Sequence, residues 1–359
     1  CGTLFPYTTL FRSRLGESGL TPARAWRIAV IGAGSWGTAL ADLLAGKGHD
    51  VALWVREEAV HGQIREDGEN RTFLPGTRLH PSLRPVRTYE AALEGRNLVV
   101  LVVPSHVIRG VIQGIRPHLD SGTELMTGTK GIENDTLMTV SDVVREELPD
   151  RDPDRFACLA GPSFAREVCR RLPTAVTVAC PEPGLGKDLQ DVFSTEAFRV
   201  YASRDLVGTQ LGGALKNVIA IGAGVSDGLG FGDNARAALI TRGLAEITRL
   251  AVALGANPHT LAGLAGMGDL VLTCTGDLSR NRTVGLKIGR GMRLREITSS
   301  MEMVAEGVKT ALSAHQLGKR AGVELPIADQ VYSILYEDKD PRDAVRDLMG
   351  RRLKDELEG

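Results

Sequence analysis

Apolar positions change their spacing along the chain, and the change divides it. Arg27-Ile28-Ala29-Val30-Ile31 is a short β-branched run of the kind that fills a strand buried on both faces. From Trp36 to Ala45 the spacing lengthens, so that Ala39, Leu40, Leu43 and Leu44 share one helical face, with Gly46 and Gly48 ending the helix. Val51–Val55, Asn97–Val103, Thr123–Thr127 and Arg155–Leu159 read as further strands. Helices are predicted over Val107–Ile115 and Thr136–Glu147. Strands separated by helices imply crossover connections and a doubly wound, parallel sheet. From about Leu206 the alternation stops. Leu211–Ile221, Ala235–Leu254 and Thr310–Arg320 read as helices, with Gly255, Pro258, Gly322 and Pro326 as breaks.

The turn after the first strand carries chemistry. Gly32-Ala33-Gly34-Ser35-Trp36-Gly37 closes a predicted strand and opens a predicted helix, the setting that turns a weak glycine motif into a dinucleotide signal. Gly32 permits the tight turn, Gly34 lets the backbone approach a pyrophosphate, and Gly37 lets helix pack on strand. The helix N-terminus then offers free N–H groups to the phosphates. Past the second strand stands Trp54-Val55-Arg56, with Glu57 and Glu58 beyond. A guanidinium at Arg56 can face a ribose 2′-phosphate, so NADPH is expected to be accepted; the alternative is a solvated Arg56 with Glu57 on the ribose of NADH. The expected fold is α/β plus all-α: a Rossmann-type NAD(P)-binding domain over residues 26–205, then a helical catalytic and substrate domain over 206–354.

Composition narrows the class. The 359 residues carry a formal net charge of −1, with 24% charged and 43% hydrophobic. There is no basic footprint for nucleic acid. The richest apolar stretch, Leu98 to Val103, stops at Pro104, far short of the ~18 residues that span a bilayer. Cysteines at 1, 158, 169, 180 and 274 show no CxxC spacing and no His neighbours, so no metal is expected and the thiols read as free in a reducing cytoplasm. Residues 1–25 lack the features of a signal peptide and read as a disordered or non-native flank.

Polar residues interrupt the second half where packing does not need them. Lys216 and Asn217 stand inside the apolar run Gly213 to Ile219, and Gly266-Met267-Gly268-Asp269 puts a carboxylate after a glycine turn. Ser279-Arg280-Asn281-Arg282 reads either as a helix cap with surface arginines or as the donors of a phosphate site. Gly128-Thr129-Lys130-Gly131 and Gly161-Pro162-Ser163-Phe164-Ala165 follow strands, on the rim where ligands bind in open α/β sheets. Gly222 to Gly228 has the wrong spacing for a second nucleotide loop and is expected to be close helix packing and a turn.

Together with Val103-Pro104-Ser105-His106, Gly212-Gly213-Ala214-Leu215-Lys216-Asn217 and Gly268-Asp269-Leu270, these motifs occur in an order that resembles the bacterial-type NAD(P)-dependent sn-glycerol-3-phosphate dehydrogenases, from about Arg27 to about Lys354. The resemblance implies reversible reduction of dihydroxyacetone phosphate to sn-glycerol 3-phosphate, supplying glycerophospholipid synthesis, by a cytoplasmic homodimer. It implies Lys216 as proton donor and acceptor, with Lys130 and Asp269 as its catalytic neighbours. Lys130, Gly161, Ser163, Asp269, Ser279, Arg280 and Asn281 match substrate contacts. Ser35, Trp36, Arg56, Lys130, Ala165, Arg280, Val304 and Glu306 match cofactor contacts beside Gly32, Gly34 and Gly37. Two-domain β-hydroxyacid and 6-phosphogluconate type dehydrogenases also use a Lys-Asn pair, but Ser279-Arg280-Asn281 and the Gly161–Ala165 loop weigh against them. A silent NAD(P)-sensing module would have no reason to keep Lys216 and Asp269.

Chemistry supports the same roles. Reduction of a ketone needs a proton for the developing alkoxide, and a lysine beside that oxygen can supply it. A free lysine at about 10.4 is poorly matched to neutral pH. Lys130 and Arg280 would lower Lys216 while Asp269 opposes them, a balance that sequence leaves open.

Overall fold

The computed structural model describes residues 26–299, 305–353 and 355–356. The flank 1–25 and Val304 therefore lie outside the described residues. Eight strands form one sheet: β1 Arg27–Ile31, β2 Asp50–Trp54, β3 Arg84–Val86, β4 Leu98–Leu101, β5 Glu124–Thr127, β6 Phe156–Ala160, β7 Thr174–Ala179 and β8 Phe198–Ser203. Their order is β3-β2-β1-β4-β5-β6-β7-β8. The first six run parallel, with Ile28 of β1 opposite Val51 of β2 and Leu98 of β4.

Helices over this half are α1 Ser35–Gly46, α2 Glu58–Asp67, α3 Tyr89–Leu93, α4 Ile108–Ile115, α5 Val140–Glu147, α6 Ala165–Cys169 and α7 Pro183–Phe193. Adjacent residues of one strand feed opposite cores: Ile28, Val30, Leu98 and Val100 pack on one face of the sheet, Ala29, Ile31, Val99 and Leu101 on the other. Burial on both faces is why these strands read as unbroken apolar runs.

After β8 the described chain is helical: α8 Leu206–Gly228, α9 Gly232–Ala253, α10 Pro258–Leu261, α11 Asp269–Thr275, α12 Arg280–Gly289, α13 Leu294–Ser299, α14 Glu306–Ala321, α15 Pro326–Tyr336 and α16 Pro341–Met349. A third core gathers around α8, through Leu211, Leu215, Val218 and Ile221. The molecule is thus a Rossmann-type sheet followed by a helical domain.

Three local expectations need correction. β7 and β8 were not expected; β7 runs antiparallel to β6, and β8 lies parallel to β7 at the sheet edge. β8 alternates buried and exposed positions, Phe198 and Val200 inward, so it lacks the continuous apolar run of the central strands. The helix expected from Thr136 begins at Val140, because Thr139 and Asp142 close a reciprocal capping box that fixes its start. Gly222 to Gly228 is continuous helix rather than a turn. Its glycines serve contact: a Cβ on Gly224 would overlap the Arg282 carbonyl of α12, and one on Gly285 would overlap the Ile221 carbonyl of α8.

Candidate active site

A cavity of about 1080 Å³ runs from the C-terminal ends of β1 and β2 across to α8, α11 and α12. Its first end is the glycine turn. Gly32 holds φ +117°, where a side chain is strained, and a Cβ there would meet the Val102 carbonyl. A Cβ on Gly37 would overlap the Gly32 carbonyl, whereas one on Gly34 would meet only open space. The N-cap Gly34 offers no side chain to α1, and a helix N-terminus of this kind favours an anion. The buried Trp36 indole N–H has no hydrogen-bond partner among the described residues. A backbone stripped of Cβ atoms at the head of an uncapped helix fits the pyrophosphate of a dinucleotide. Ser35, Ala165 and Arg56 line the same cavity, and Arg56 donates through Nε and Nη2 to Glu57 Oε1, at 2.8 and 2.5 Å.

At the opposite end three charged groups from distant parts of the chain form one chain of contacts. Lys130, just past β5, donates to Asp269 Oδ2 at 2.8 Å and to the Gly161 carbonyl at 3.2 Å. Lys216, in the middle of α8, donates to Asp269 Oδ1 and to Thr273 Oγ1, the latter at 2.9 Å. A π-helical turn, Leu264–Gly268, leads into α11 and delivers Asp269 at that helix's first position. Gly161 takes φ +139° and a Cβ there would press on the Val176 main chain, which explains why the carbonyl that receives Lys130 belongs to a glycine. Ser163 lines the cavity and donates to that same carbonyl at 3.0 Å.

Burial drives the Lys216 ammonium down from 10.5 to about 8, with Lys130 adding to the fall and Asp269 resisting it. Asp269 is itself held below the ordinary carboxylate range: its two lysine partners outweigh the burial that pushes the other way. The balance that sequence left open therefore goes to desolvation.

The phosphate candidates sit at the head of α12. Ser279 is its N-cap, accepting from the Arg282 amide at 3.2 Å, so the capping reading is correct for this residue. Its hydroxyl proton stays free to donate. Asn281 donates to Asn217 Oδ1 at 2.9 Å and accepts from the Gly307 amide at 3.0 Å, leaving one amide hydrogen over. Arg282 is turned away, to Asp227 and Asp277, while Arg280 lines the cavity. Burial lowers Arg280 from its ordinary value, and burial raises Glu306, which faces it, to about 7.

Every expected site residue that is described lines this cavity except Gly161, which acts on it through its carbonyl. Sequence reading missed Thr273, the hydroxyl partner of Lys216. Its position four residues after Asp269, one helical turn on, is a signal that could have found it. It also missed the Asn217–Asn281 amide pair, for which nothing local gives a sign.

The family model described as NAD-dependent glycerol-3-phosphate dehydrogenase N-terminus matches residues 27–185, and the corresponding C-terminus model matches residues 205–346. A glycerol-3-phosphate dehydrogenase [NAD(P)+] of Syntrophotalea carbinolica is 57% identical over 92% of this chain and 99% of its own length. One from Geobacter sulfurreducens is 56% identical over 92% of this chain and 98% of its own. Among solved structures, the glycerol-3-phosphate dehydrogenase of Coxiella burnetii superposes with a TM-score of 0.87 at 42% identity, over 91% of this chain and 99% of that one.

Proposed function

Because the chain belongs to the NAD-dependent glycerol-3-phosphate dehydrogenase family and is an NAD(P)-dependent oxidoreductase interconverting dihydroxyacetone phosphate and sn-glycerol 3-phosphate, we propose specific roles for the residues of its cavity. Lys216 is the proton donor in reduction and the acceptor in oxidation. Asp269 and Thr273 occupy two of its three ammonium hydrogens, which leaves one for the substrate oxygen. NAD(P)H, when bound, supplies the hydride. As negative charge grows on the carbonyl oxygen, Lys216 stabilises it and then neutralises it by proton transfer. Lys130 shares Asp269 with Lys216, adds positive charge beside the same oxygen, and lowers the Lys216 pKa towards the working range.

Arg280, with donors from Ser279 and Asn281, holds the substrate phosphate; a guanidinium can grip two oxygens at once, which orients the three-carbon chain as well as binding it. Gly32, Gly34, Ser35, Trp36, Gly37 and Arg56 hold the dinucleotide, with Ala165 and Glu306 beside it. Residues 26–205 serve as the coenzyme domain and 206–354 as the catalytic one, a division supported by hydrophobic cores whose described buried residues cross that boundary only at Leu206, packed with the sheet, and Ile132, packed with the helices. The same reading makes the enzyme a cytoplasmic homodimer that supplies glycerophospholipid synthesis.

The observation that carries the assignment is the Lys130–Asp269–Lys216 chain of ionic contacts at the cavity wall. The test is nicotinamide absorbance on mixing protein, NADPH and dihydroxyacetone phosphate. Lys216→Ala is expected to lose at least ~10²-fold in kcat while still binding NADPH. Near-normal turnover would remove Lys216 from the mechanism.

A further inference from the structure

The rim of the cavity beyond β2 holds a charge pair that the chemistry at Lys216 does not use. Both hydrogen bonds from the Arg56 guanidinium end on one oxygen of Glu57, Oε1, and among the described residues nothing donates to Oε2. The main chain beneath is pinned. Arg87 donates to the carbonyls of Val55, at 3.1 Å, and of Arg56, and its own carbonyl accepts the Trp54 indole N–H at 3.1 Å. Trp54 in turn stacks on Tyr89 with ring centroids 4.6 Å apart. The Arg56 side chain has no such restraint: it is 73% exposed, and Glu57 is its one side-chain partner among the described residues. A hydrogen-bonded backbone thus carries an exposed cation paired with a partly exposed anion.

We propose that Arg56 and Glu57 form an exchange latch that lets one site take both coenzymes, with Glu57 as the residue that sets the balance. The inference rests on the reading that this end of the cavity holds the adenosine half of the dinucleotide. With the latch closed, Arg56 stays on Oε1 and the open Oε2 accepts the ribose 2′-hydroxyl of NAD(H). With NADP(H), the guanidinium leaves Glu57 for the 2′-phosphate, which offers it two oxygens and a larger charge. An exposed ion pair is weak enough to exchange. Glu57 opposes the phosphate twice, by competing for Arg56 and by like-charge repulsion. The pair accordingly trades NADPH affinity for NADH affinity.

The test measures dissociation constants by nicotinamide fluorescence, and by calorimetry with 2′,5′-ADP and 5′-AMP, which bear the adenosine half without the reacting ring. Glu57→Gln is expected to tighten NADPH and 2′,5′-ADP by about five- to twentyfold and to loosen NADH by about threefold. In an Arg56→Gln background the gain for 2′,5′-ADP should shrink at least about threefold, because no guanidinium remains to be released. Equal shifts for phosphorylated and unphosphorylated ligands would overturn the latch, as would a gain undiminished by Arg56→Gln. If the wild-type protein binds neither NADPH nor 5′-AMP, the assignment of this cavity to a dinucleotide fails as well. If it binds both and Glu57→Gln changes neither, the latch alone fails.

Discussion

Lys216 shows how the surroundings of one residue set its protonation. It stands in a helix whose neighbours are apolar, and the carboxylate that keeps it charged comes from another helix, 53 residues away. Desolvation brings its pKa to about 8 from an ordinary 10.5. The proposed role of proton donor requires it protonated, the form that prevails below about pH 8. kcat/KM for ketone reduction should therefore be level below that pH and fall about tenfold per unit above it, while that for oxidation of glycerol 3-phosphate rises about tenfold per unit below that pH and is level above it. Parallel pH profiles for the two directions would contradict this. The residue was legible in sequence because a lysine in an apolar helical run is out of place. Its protonation was not, since burial and ion pairing shift it in opposite senses and only the geometry weighs them.

The pairing of α8 with α12 sets the residues proposed for proton transfer beside those proposed for phosphate binding. Lys216 and Asn217 project from the first helix, Arg280 and Asn281 from the second, and the Asn217–Asn281 hydrogen bond ties the two sets together. Lower down, the backbones touch at Gly224 and Gly285, and Asp227 takes the Arg282 guanidinium at 2.9 Å. Gly285→Ala places a methyl against the Ile221 carbonyl and should cost about 1–3 kcal/mol, as overpacking does. Because the helices must separate, KM for dihydroxyacetone phosphate should rise several-fold with coenzyme affinity little changed. Thermal melting and steady-state kinetics check both; a variant with native melting and native KM would show that the close approach has no role in the site. The glycines themselves announce close packing in sequence. Which helix they admit does not follow from them, and their number suggested a turn that the structure replaces with unbroken helix.

Across the whole molecule, Asp269 joins the sheet half to the helical half, binding Lys130 from the loop after β5 with one oxygen and Lys216 with the other. Asp269→Asn leaves two largely buried ammonium groups without their anion. Breaking such a pair costs about 3–5 kcal/mol, so the melting temperature should fall clearly. The remaining lysines repel each other, so the pH midpoint for reduction should also move below 8. An unchanged midpoint would mean that Asp269 does not control the protonation of Lys216. Other contacts cross between the same halves: Gln210 of α8 exchanges two hydrogen bonds with Ser141 of α5, at 3.0 and 2.8 Å. These long-range pairs leave no periodic trace, which is why sequence reading found Lys216, Asp269 and Asn281 but neither Thr273 nor the pairing of Asn217 with Asn281.

Local physics accounts for what the sequence determined alone: buried parallel strands, the turn of Gly32 to Gly37 and the change from alternating to helical spacing all follow from neighbours along the chain. The edge strands β7 and β8, the antiparallel step between β6 and β7 and the start of α5 were settled by partners and caps that periodicity does not carry. So was the protonation of Lys216. Desolvation and charge coupling depend on distances between residues far apart in sequence, and only the folded chain sets those distances.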